Sequence, residues 1–328
     1  MHEMNPAFLS DLTTNLKVIG SRSYEARSKN LWWQKVAGQK RSGSKREVLA
    51  WLLDQWKLHI ETTDGQVEFE KCVARTHEFT HGFESVGIEL FESDFEDLDG
   101  NGVQVATEFV RKMGSEFAYS PQRQLGEAIN ANPKAYDGKA FFAADHPVSG
   151  KAGDLTLGTY SNLITSKPID DSVTIDVAKK NLGYAIAKAG AIKAPDGSPR
   201  SLTPVGLLVP GAMATRATDL LGAQFIGAAG STDHKAVLSA WNLGVPLVAN
   251  ELGADYGGSD TSYYLVMSEV GEDDLGGFVW SVRKDYGIKY PSLQDALYQE
   301  SSKLRWVAKG RTALVTGHPF LLVKVTAA

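Results

Sequence analysis

One amphipathic stretch near the middle of the chain limits the possible folds more than any other feature. Its apolar residues recur at the three- and four-residue spacing of an α-helix, and charged residues cover the other faces. These apolar residues are Val105, Phe109, Val110, Met113 and Phe117. The pattern predicts a helix from Val103 to about Tyr119 with one buried side.

A second helix and an aromatic turn are predicted directly after this helix. Ser120 precedes Pro121, and a serine followed by a proline is typical of a helix N-cap and first helical position. We therefore expect the long helix to end or kink near Tyr119 and a new helix to run to about Ala131. The sequence YDGKAFF at 136–142 then predicts a tight turn that leads into a strand.

The first 93 residues predict a helical arm followed by a β-ribbon. Ser44 is a candidate cap for a helix that contains Val48 and Leu52, and the glycine-, serine- and cation-rich residues before it are typical of a flexible joint. Residues 57–93 alternate between polar and apolar, with Asp64 and Gly65 as a hairpin turn. Because a ribbon that is polar on both faces is marginally stable alone, we expect it to contact another subunit.

The second half predicts a compact α/β lobe followed by a sheet. A helix is expected from Asp171 or Ser172 to near Gly190, and short strands are expected at 205–210, 241–253 and 262–270. From Gly276 onward, period-2 segments predict long strands that return to pack against the central helix.

Composition excludes several classes of protein. The net charge of −5 in 328 residues argues against a generally basic nucleic-acid binder, although it does not argue against confining nucleic acid. Cys72 is the single cysteine, so a disulfide framework and a cysteine-rich metal site are excluded. Neither a signal-peptide pattern nor an apolar run of membrane-spanning length is present, and we expect a soluble protein without a membrane partner.

Two stretches of opposite charge are candidates for contacts between copies. The basic stretch lies between Arg22 and Arg46, and the acidic stretch lies between Glu84 and Asp99. We assign the candidate assembly residues to these stretches and to the hairpin turn: Arg22, Lys40, Arg41, Lys45, Arg46, Asp64, Gly65, Glu92 and Asp94. A solvated basic surface and a contact with an acidic neighbour both remain open as interpretations of the basic stretch.

A possible calcium loop precedes the long helix. Its oxygen ligands match the spacing of an EF-hand, with Gly102 at the sixth position of the loop. The candidate ligands are Asp97, Asp99, Asn101 and Glu108. Gln104 stands where such loops are apolar, and the chain has no second loop of this kind. The alternative is that Asp99 and Asn101 only cap the helix.

Signatures of catalysis are absent. The chain contains no GxSxG, no P-loop, and no GxGxxG between a strand and a helix, so we expect neither enzymatic activity nor a cofactor. The sequences around His146 and His318 are typical of strand-to-turn corners in which an imidazole bonds a carbonyl.

The dozen residues YDGKAFFAADHP at 136–147, with the acidic segment and helix before them, resemble the Mu-like phage major head subunit family. The order of the other parts agrees, including Trp51-Leu52 in the arm and the Leu-Val-Pro strand near 208. The chain departs from the family in its acidic segment, FEDLDGNG, and at the start of the ribbon, LLDQWKLHI.

This resemblance implies an α+β protein with the HK97-like capsid fold. The implied parts are an N-terminal arm and helix (1–55), an extended β-ribbon (56–96), a peripheral domain with a spine helix (97–170), an axial α/β domain (171–270) and a return to the peripheral sheet (271–328).

The resemblance further implies a major capsid protein that assembles in the host cytoplasm as hexamers and pentamers of an icosahedral phage head around double-stranded DNA. A portal and a separate scaffold protein are the implied partners, since no long charged helical extension precedes the arm. The alternatives are an encapsulin-like shell of the same fold and, from another class, a calcium-binding or unrecognised hydrolytic enzyme.

Overall fold

The computed structural model describes residues 6–29, 31–44, 46–52, 74–96, 101–149, 155–194, 197–222, 225–226, 234–235, 243–269 and 276–327. The helices in these ranges are α1 (Pro6–Ser28), α2 (Trp33–Val36), α3 (Ser93–Glu96), α4 (Gly102–Ala131), α5 (Ile175–Gly190), α6 (Ala214–Gly222) and α7 (Ala296–Ser301). The strands of the first half are β1 (Ala37–Arg41), β2 (Arg46–Leu52), β3 (Ala74–Thr80), β4 (Gly82–Phe91), β5 (His146–Pro147), β6 (Thr159–Tyr160) and β7 (Leu163–Ile164). Those of the second half are β8 (Leu202–Val209), β9 (Phe225–Ile226), β10 (His234–Lys235), β11 (Leu247–Val248), β12 (Tyr263–Glu269), β13 (Phe278–Lys289), β14 (Lys303–Thr316) and β15 (Leu322–Val325).

A four-stranded sheet packs against the long helix α4. Its strand order is β1-β13-β14-β4, with β1 parallel to β13 and the other pairs antiparallel. Alternate residues of β14 point to α4, so Leu304, Trp306 and Ala308 are buried against Phe109 and Val110 of the helix. The predicted amphipathic helix is confirmed, and two of the terminal strands, β13 and β14, return to cover it as predicted.

The long helix does not end near Tyr119, one of the two predicted outcomes, because α4 continues through Pro121 to Ala131, the predicted end of the second helix. Proline has no N–H and removes one helical hydrogen bond, which usually ends a helix. Here Ser120, Pro121 and Gln122 are all buried. Tertiary packing on both sides of the proline thus keeps the helix continuous, and it ends at Asn132 in the left-handed conformation (φ 48°).

Helix α1 lies against α4 of its own chain. Leu9, Leu12 and Leu16 are buried in the same core as Val110. A methyl group added at Gly114 would lie 2.5 Å from the backbone oxygen of Gly20, so the absence of a side chain at Gly114 lets the two helices approach. The helical content expected of the arm is therefore present, and it is packed onto the body of the subunit.

Strands β2 and β3 form a two-stranded antiparallel sheet from Arg46↔Thr80 to Leu52↔Ala74. The helix predicted after Ser44 is therefore wrong, since residues 46–52 form β2. A short run of apolar and polar residues is compatible with a strand as well as with a short helix. Pairing with β3 makes these residues a strand. The predicted turn at Asp64 and Gly65 lies outside the described residues.

A five-stranded sheet, ordered β11-β8-β12-β15-β7, forms a second core with α5 and α6. Helix α5 begins at Ile175, three residues after Ser172, because Thr174 is the residue whose side chain accepts the cap hydrogen bond from Val177. Only Leu247 and Val248 of the strand predicted at 241–253 are paired, among its described residues. Strand β15 pairs with β12 and β7, so the chain ends in this sheet and does not return to the four-stranded one.

None of the helices in the described ranges is long and apolar enough to cross a lipid bilayer.

Candidate functional site

The aromatic stretch after α4 folds as a tight turn, as predicted. The amide of Gly138 donates to the Ala135 oxygen at 3.0 Å, and the amide of Ala135 donates to the Lys139 oxygen at 2.8 Å. Gly138 has φ +82°, a conformation that favours glycine. Phe141 and Phe142 lie in bends and not in the predicted strand, because their backbone groups bond residues at the end of α4.

The turn directs Asp137 into a buried polar group that we call the junction cluster: Asp137, His146 and Asn162. The His146 Nδ1 lies 2.6 Å from the Asp137 Oδ2, and its Nε2 lies 3.1 Å from the backbone oxygen of Phe141. His146 and Asn162 are fully buried and Asp137 is 4% exposed. The predicted carbonyl contact of a corner histidine is confirmed, and a buried carboxylate is added to it.

Asn162 connects this turn to the end of the chain. Its side-chain amide donates to the backbone oxygens of Phe141 (2.6 Å) and Pro319 (2.9 Å), and its Oδ1 accepts from the amide of Ala143 (2.9 Å). One side chain therefore satisfies backbone groups of two segments that are more than 150 residues apart in sequence. Such groups would otherwise be buried without partners, at a cost of about 1–3 kcal/mol each.

An aspartate–histidine pair also occurs in hydrolases, where the second imidazole nitrogen faces the nucleophile. In this protein the second nitrogen of His146 faces the Phe141 oxygen and, at 3.2 Å, the Asn162 Oδ1. With the ring fully buried, neither nitrogen is presented to a substrate. The pair therefore acts to hold segments together.

A second buried polar group surrounds Glu251, and we call it the Glu251 cluster: Trp32, Tyr119, Gln122 and Glu251. The carboxylate accepts hydrogen bonds from the Tyr119 hydroxyl (2.6 Å), the Gln122 side-chain amide (2.8 Å) and the Trp32 Nε1 (3.1 Å). Burial opposes its ionisation, but these donors outweigh burial and hold the pKa of Glu251 below its ordinary value. Burial, and next the bond to Glu251, raise the pKa of Tyr119 to about 12. The cluster ties α4 to the loop that precedes β12.

His318 and Arg200 lie beside the junction cluster. The Arg200 guanidinium lies 3.8 Å from the centre of the Phe320 ring and pairs with Glu269 at 3.1 Å. The His318 ring stacks on the same Phe320 ring, with 4.8 Å between the ring centres. Burial, and next the nearby Arg200 charge, lower the pKa of His318 to about 3. This histidine is therefore neutral over the physiological pH range.

The structure describes only two of the four candidate calcium ligands, Asn101 and Glu108. Asp97 and Asp99 lie outside the described residues, and the carboxylate of Glu108 pairs with Arg111. The side chain of Asn101 makes no capping hydrogen bond, so the proposed cap role is wrong for this residue. Among the described residues, no three histidine, cysteine or acidic side chains are grouped closely enough to hold a metal ion.

Most of the predicted assembly residues that are described bond within their own chain. Lys40 pairs with Glu47 at 3.0 Å, Arg41 pairs with Asp285 at 3.0 Å, and Arg46 pairs with Glu78. The Glu92 carboxylate accepts from Tyr298 at 2.7 Å, and that of Asp94 accepts from the Phe91 amide at 2.8 Å. Arg22 is exposed on α1, while Lys45, Asp64 and Gly65 lie outside the described residues. Their role in assembly stays a prediction.

Nothing near Asn162 in the sequence marks it as the residue that joins two segments, since its partners are distant in the chain. Glu251 carries one weak signal. It follows the apolar run VPLVA, and a carboxylate so placed is either buried with partners or exposed at a loop.

Comparison with known proteins adds a family and a fold. The family model of the Mu-like prophage major head subunit gpT matches residues 9–175, just over half of the chain. No curated protein sequence matches the chain.

Several solved structures of capsids share the fold. Three of them are the capsid of Myoviridae phage XM1, the capsid of cyanophage P-SCSP1u and the capsid of a native GTA particle. The XM1 chain is 7% identical over 91% of this chain and 92% of its own, with a TM-score of 0.53. The P-SCSP1u chain is 11% identical over 89% and 86%, with a TM-score of 0.53. The GTA chain is 10% identical over 92% and 91%, with a TM-score of 0.51. The fold is the HK97-like capsid fold, as the resemblance implies.

Proposed function

The chain belongs to the Mu-like prophage major head subunit gpT family and is a major capsid protein; from this premise we propose how its copies build a head. Hexamers and pentamers of the chain close into an icosahedral shell in the host cytoplasm and enclose double-stranded DNA. The subunit acts without catalysis, and a portal and a separate scaffold protein are its partners. One chain that occupies both kinds of ring must use heterologous contacts, which close around each ring axis and continue between rings.

We assign one proposed domain to the core of the four-stranded sheet and the other to the core of the five-stranded sheet. The four-stranded sheet with α4 is the peripheral domain, and α4 is its spine. Residues 171–270 supply most of the axial domain, whose five-stranded sheet also takes up β7 and β15. The junction cluster and the Glu251 cluster lie where these domains meet, and their largely buried hydrogen bonds hold the two domains together.

The separate two-stranded sheet formed by β2 and β3 is the observation that supports assembly most directly. In the described part of the chain, these strands pair only with one another. A two-stranded ribbon is marginally stable in water and gains from a surface on another copy. We infer that the ribbon from residue 64 to the end of β3 lies over an adjacent subunit in the shell, whereas Phe83, at the end of the predicted range 64–83, is paired with Arg311 of its own chain.

A deletion in the ribbon tests this function. Removing residues 62–66 leaves the two cores intact, so the protein is expected to fold and to remain as unassembled subunits or rings. Negative-stain electron microscopy measures the shells, and circular dichroism measures the fold. A matched deletion of residues 227–231, which are also outside the described cores, serves as the control. Normal shells from the ribbon deletion would refute the ribbon contact, and wild-type protein that never assembles would refute the capsid function itself.

A further inference from the structure

The ribbon of β2 and β3 is attached to the body of the subunit through two short connections. Four residues, 42–45, join β1 to β2, and a single residue, His81, joins β3 to β4. Both β1 and β4 are strands of the four-stranded sheet. Because so few residues separate the ribbon from this sheet, the contacts at its base decide in which direction it leaves the subunit.

The first contact at the base is made by His81. Its Nε2 lies 2.9 Å from the Ser281 Oγ, and His81 is 4% exposed while Ser281 is fully buried. The Phe79 ring meets the His81 ring edge-on, with 5.3 Å between the ring centres, and packs against Val279 and Val315. The residues of β13 that alternate with these face the core beside α4, so the end of β3 is held on the opposite, outer side of the sheet.

The second contact is made by Glu47 of β2. Its half-buried carboxylate pairs with Lys40 of β1 at 3.0 Å. Burial opposes ionisation of this carboxyl, but hydrogen bonds from Ser42 and Lys40 outweigh burial and hold the pKa of Glu47 below its ordinary value. The carboxylate is therefore charged at neutral pH, and the ion pair is present when copies assemble.

The two contacts meet at one place on the sheet. Glu47 lies directly opposite Phe79 in the register of the ribbon, and Lys40 lies directly opposite Ser281 in the register of the sheet. Paired residues point to the same side of a sheet, so one side of the ribbon base meets one place on the outer side of the body. We call these contacts, His81–Ser281 and Lys40–Glu47, the ribbon anchors. Because they come from different strands, they oppose rotation about either connection.

Serine, histidine and an acidic residue also form the catalytic group of hydrolases. As in those enzymes, the His81 Nε2 faces the Ser281 Oγ. Ser281, however, is fully buried in β13, which lies between β1 and β14. Its hydroxyl is not presented to a substrate, and the group is placed to hold strands together.

We propose that His81 and Glu47 are positioning residues for assembly, which hold the ribbon of the free subunit in the direction that it has in the shell. This inference rests on the proposed function. A segment that is ordered before it binds loses less conformational entropy on binding. The ribbon anchors therefore lower the protein concentration at which shells form, although they are contacts within one chain.

Distances between two spin labels measure the direction of the ribbon in unassembled subunits. Cys72 is the single cysteine and precedes β3 by two residues, so it takes one label. The exposed Gln104 of α4, changed to Cys, takes the other. Double electron–electron resonance should give a narrow distance distribution, which becomes broad when His81→Ala or Glu47→Lys is added. A broad distribution without these changes, or a narrow one with either of them, would overturn the proposal.

Glu78→Lys is the matched control. Glu78 of β3 pairs with the exposed Arg46 of β2, so this change removes an ion pair within the ribbon and leaves both anchors in place. We expect a narrow distance distribution and shells at the wild-type protein concentration. Broadening as large as that caused by Glu47→Lys would show that the anchors have no special role.

Assembly is measured as the lowest protein concentration that gives shells in negative-stain electron microscopy. His81→Ala and Glu47→Lys should each raise this concentration by about fivefold or more, because each copy must then order its ribbon as it joins the shell. His81→Gln keeps a hydrogen-bonding group near Ser281, and Lys40→Glu combined with Glu47→Lys restores an ion pair. Both should return the concentration to within about twofold of the wild-type value.

Assembly of His81→Ala and Glu47→Lys at the wild-type concentration would overturn the inference. So would a charge exchange that folds, as judged by circular dichroism, but does not recover. If His81→Ala does not fold, Glu47→Lys and its exchange partner decide the question. Wild-type protein that never assembles would remove the proposed function, while the spin-label distances would still show whether the anchors hold the ribbon.

Discussion

The charged and polar side chains of the junction cluster differ from those of the basic face in burial and in pairing. In the junction cluster, Asp137, His146 and Asn162 are buried and bonded to one another and to backbone groups of their own chain. The basic face is the outer side of the four-stranded sheet, with Lys284, Lys289, Lys303, Arg305, Lys309 and Arg311; its half-buried Lys309 and Arg311 have no ion pair among the described residues. The first arrangement stabilises the subunit, while the second leaves positive charge unpaired among the described residues.

This difference predicts which substitutions lower the stability of the subunit and which leave it almost unchanged. A buried polar group that loses its partner costs stability at once, since water cannot replace the partner. An exposed cation remains hydrated, and changing it leaves the subunit almost unaffected. Substitutions in the junction cluster should therefore lower the stability of the subunit, whereas substitutions in the basic face should change its stability little.

Asn162→Ala should produce the largest effect on stability. It removes donors from the Phe141 and Pro319 oxygens and an acceptor from the Ala143 amide, all of them buried. We expect the free energy of unfolding to fall by about 3–5 kcal/mol in urea denaturation of the unassembled protein. Asn101→Ala is the matched control, because the side chain of Asn101 is exposed and makes no cap hydrogen bond. A loss below about 1 kcal/mol at position 162 would contradict the assigned role.

Gly114→Ala tests whether α1 belongs to the body of its own subunit. The added methyl group meets the Gly20 oxygen at 2.5 Å and must push α1 away, which should cost about 1–3 kcal/mol. Gly183→Ala in α5 is the control, since nothing lies within 4 Å of its added methyl group and alanine is the better helix former. Thermal unfolding of both variants should move in opposite directions. A stabilised Gly114→Ala protein would mean that α1 does not pack here in solution.

His318 should make stability depend on pH. Its pKa is about 3 in the folded protein and near the ordinary 6.5 in the unfolded chain, so the unfolded state binds the proton first as the pH falls. The stabilisation is complete above pH 6.5 and is lost progressively as the pH falls toward 3, by at most about 1.4 kcal/mol per pH unit.

Urea denaturation at pH 8, 6.5, 5.5 and 4.5 measures this dependence. His318→Gln removes the titrating group, so its stability should fall less steeply between pH 6.5 and 4.5 than that of the wild type. Carboxylates elsewhere titrate in both proteins and cancel in the comparison. Equal slopes would show that His318 is not buried as a neutral group.

The smallest effect on stability is expected at the basic face. The triple change of Lys284, Lys309 and Arg311 to Glu should change Tm of the unassembled protein little, since Lys284 is exposed, Lys309 and Arg311 are only half-buried, and none of the three forms an ion pair among the described residues. A clear drop in Tm would mean that these cations stabilise the subunit, and the contrast with the junction cluster would disappear.

Local patterns predict the elements that depend on their own residues. The apolar stripe of α4 follows from periodicity, and the turn at Gly138 follows from the positive φ that glycine permits. Helix α5 ends at Gly190 as predicted, without a positive φ at that residue. Pro121 shows where such patterns fail. The local signal for a helix break is strong, but buried packing on both sides of residue 121 outweighs one lost hydrogen bond.

The location of the basic surface was the feature that the amino-acid sequence predicted least well. The stretch from Lys40 to Arg46 is basic in sequence, but its described cations pair within the chain. The basic face is formed by residues of β13 and β14 that alternate with apolar ones, so no continuous run of cations marks it.

The amino-acid sequence alone determined the amphipathic helix, the aromatic turn and the family resemblance, because each depends on residues that are neighbours in the chain. The tertiary structure alone decided which polar groups are used within the subunit. Asn162 meets Pro319, and Glu251 meets Trp32, only when distant segments pack together. The physical reason is that burial, which makes an unpaired polar group costly, is a property of the folded chain and not of any one segment.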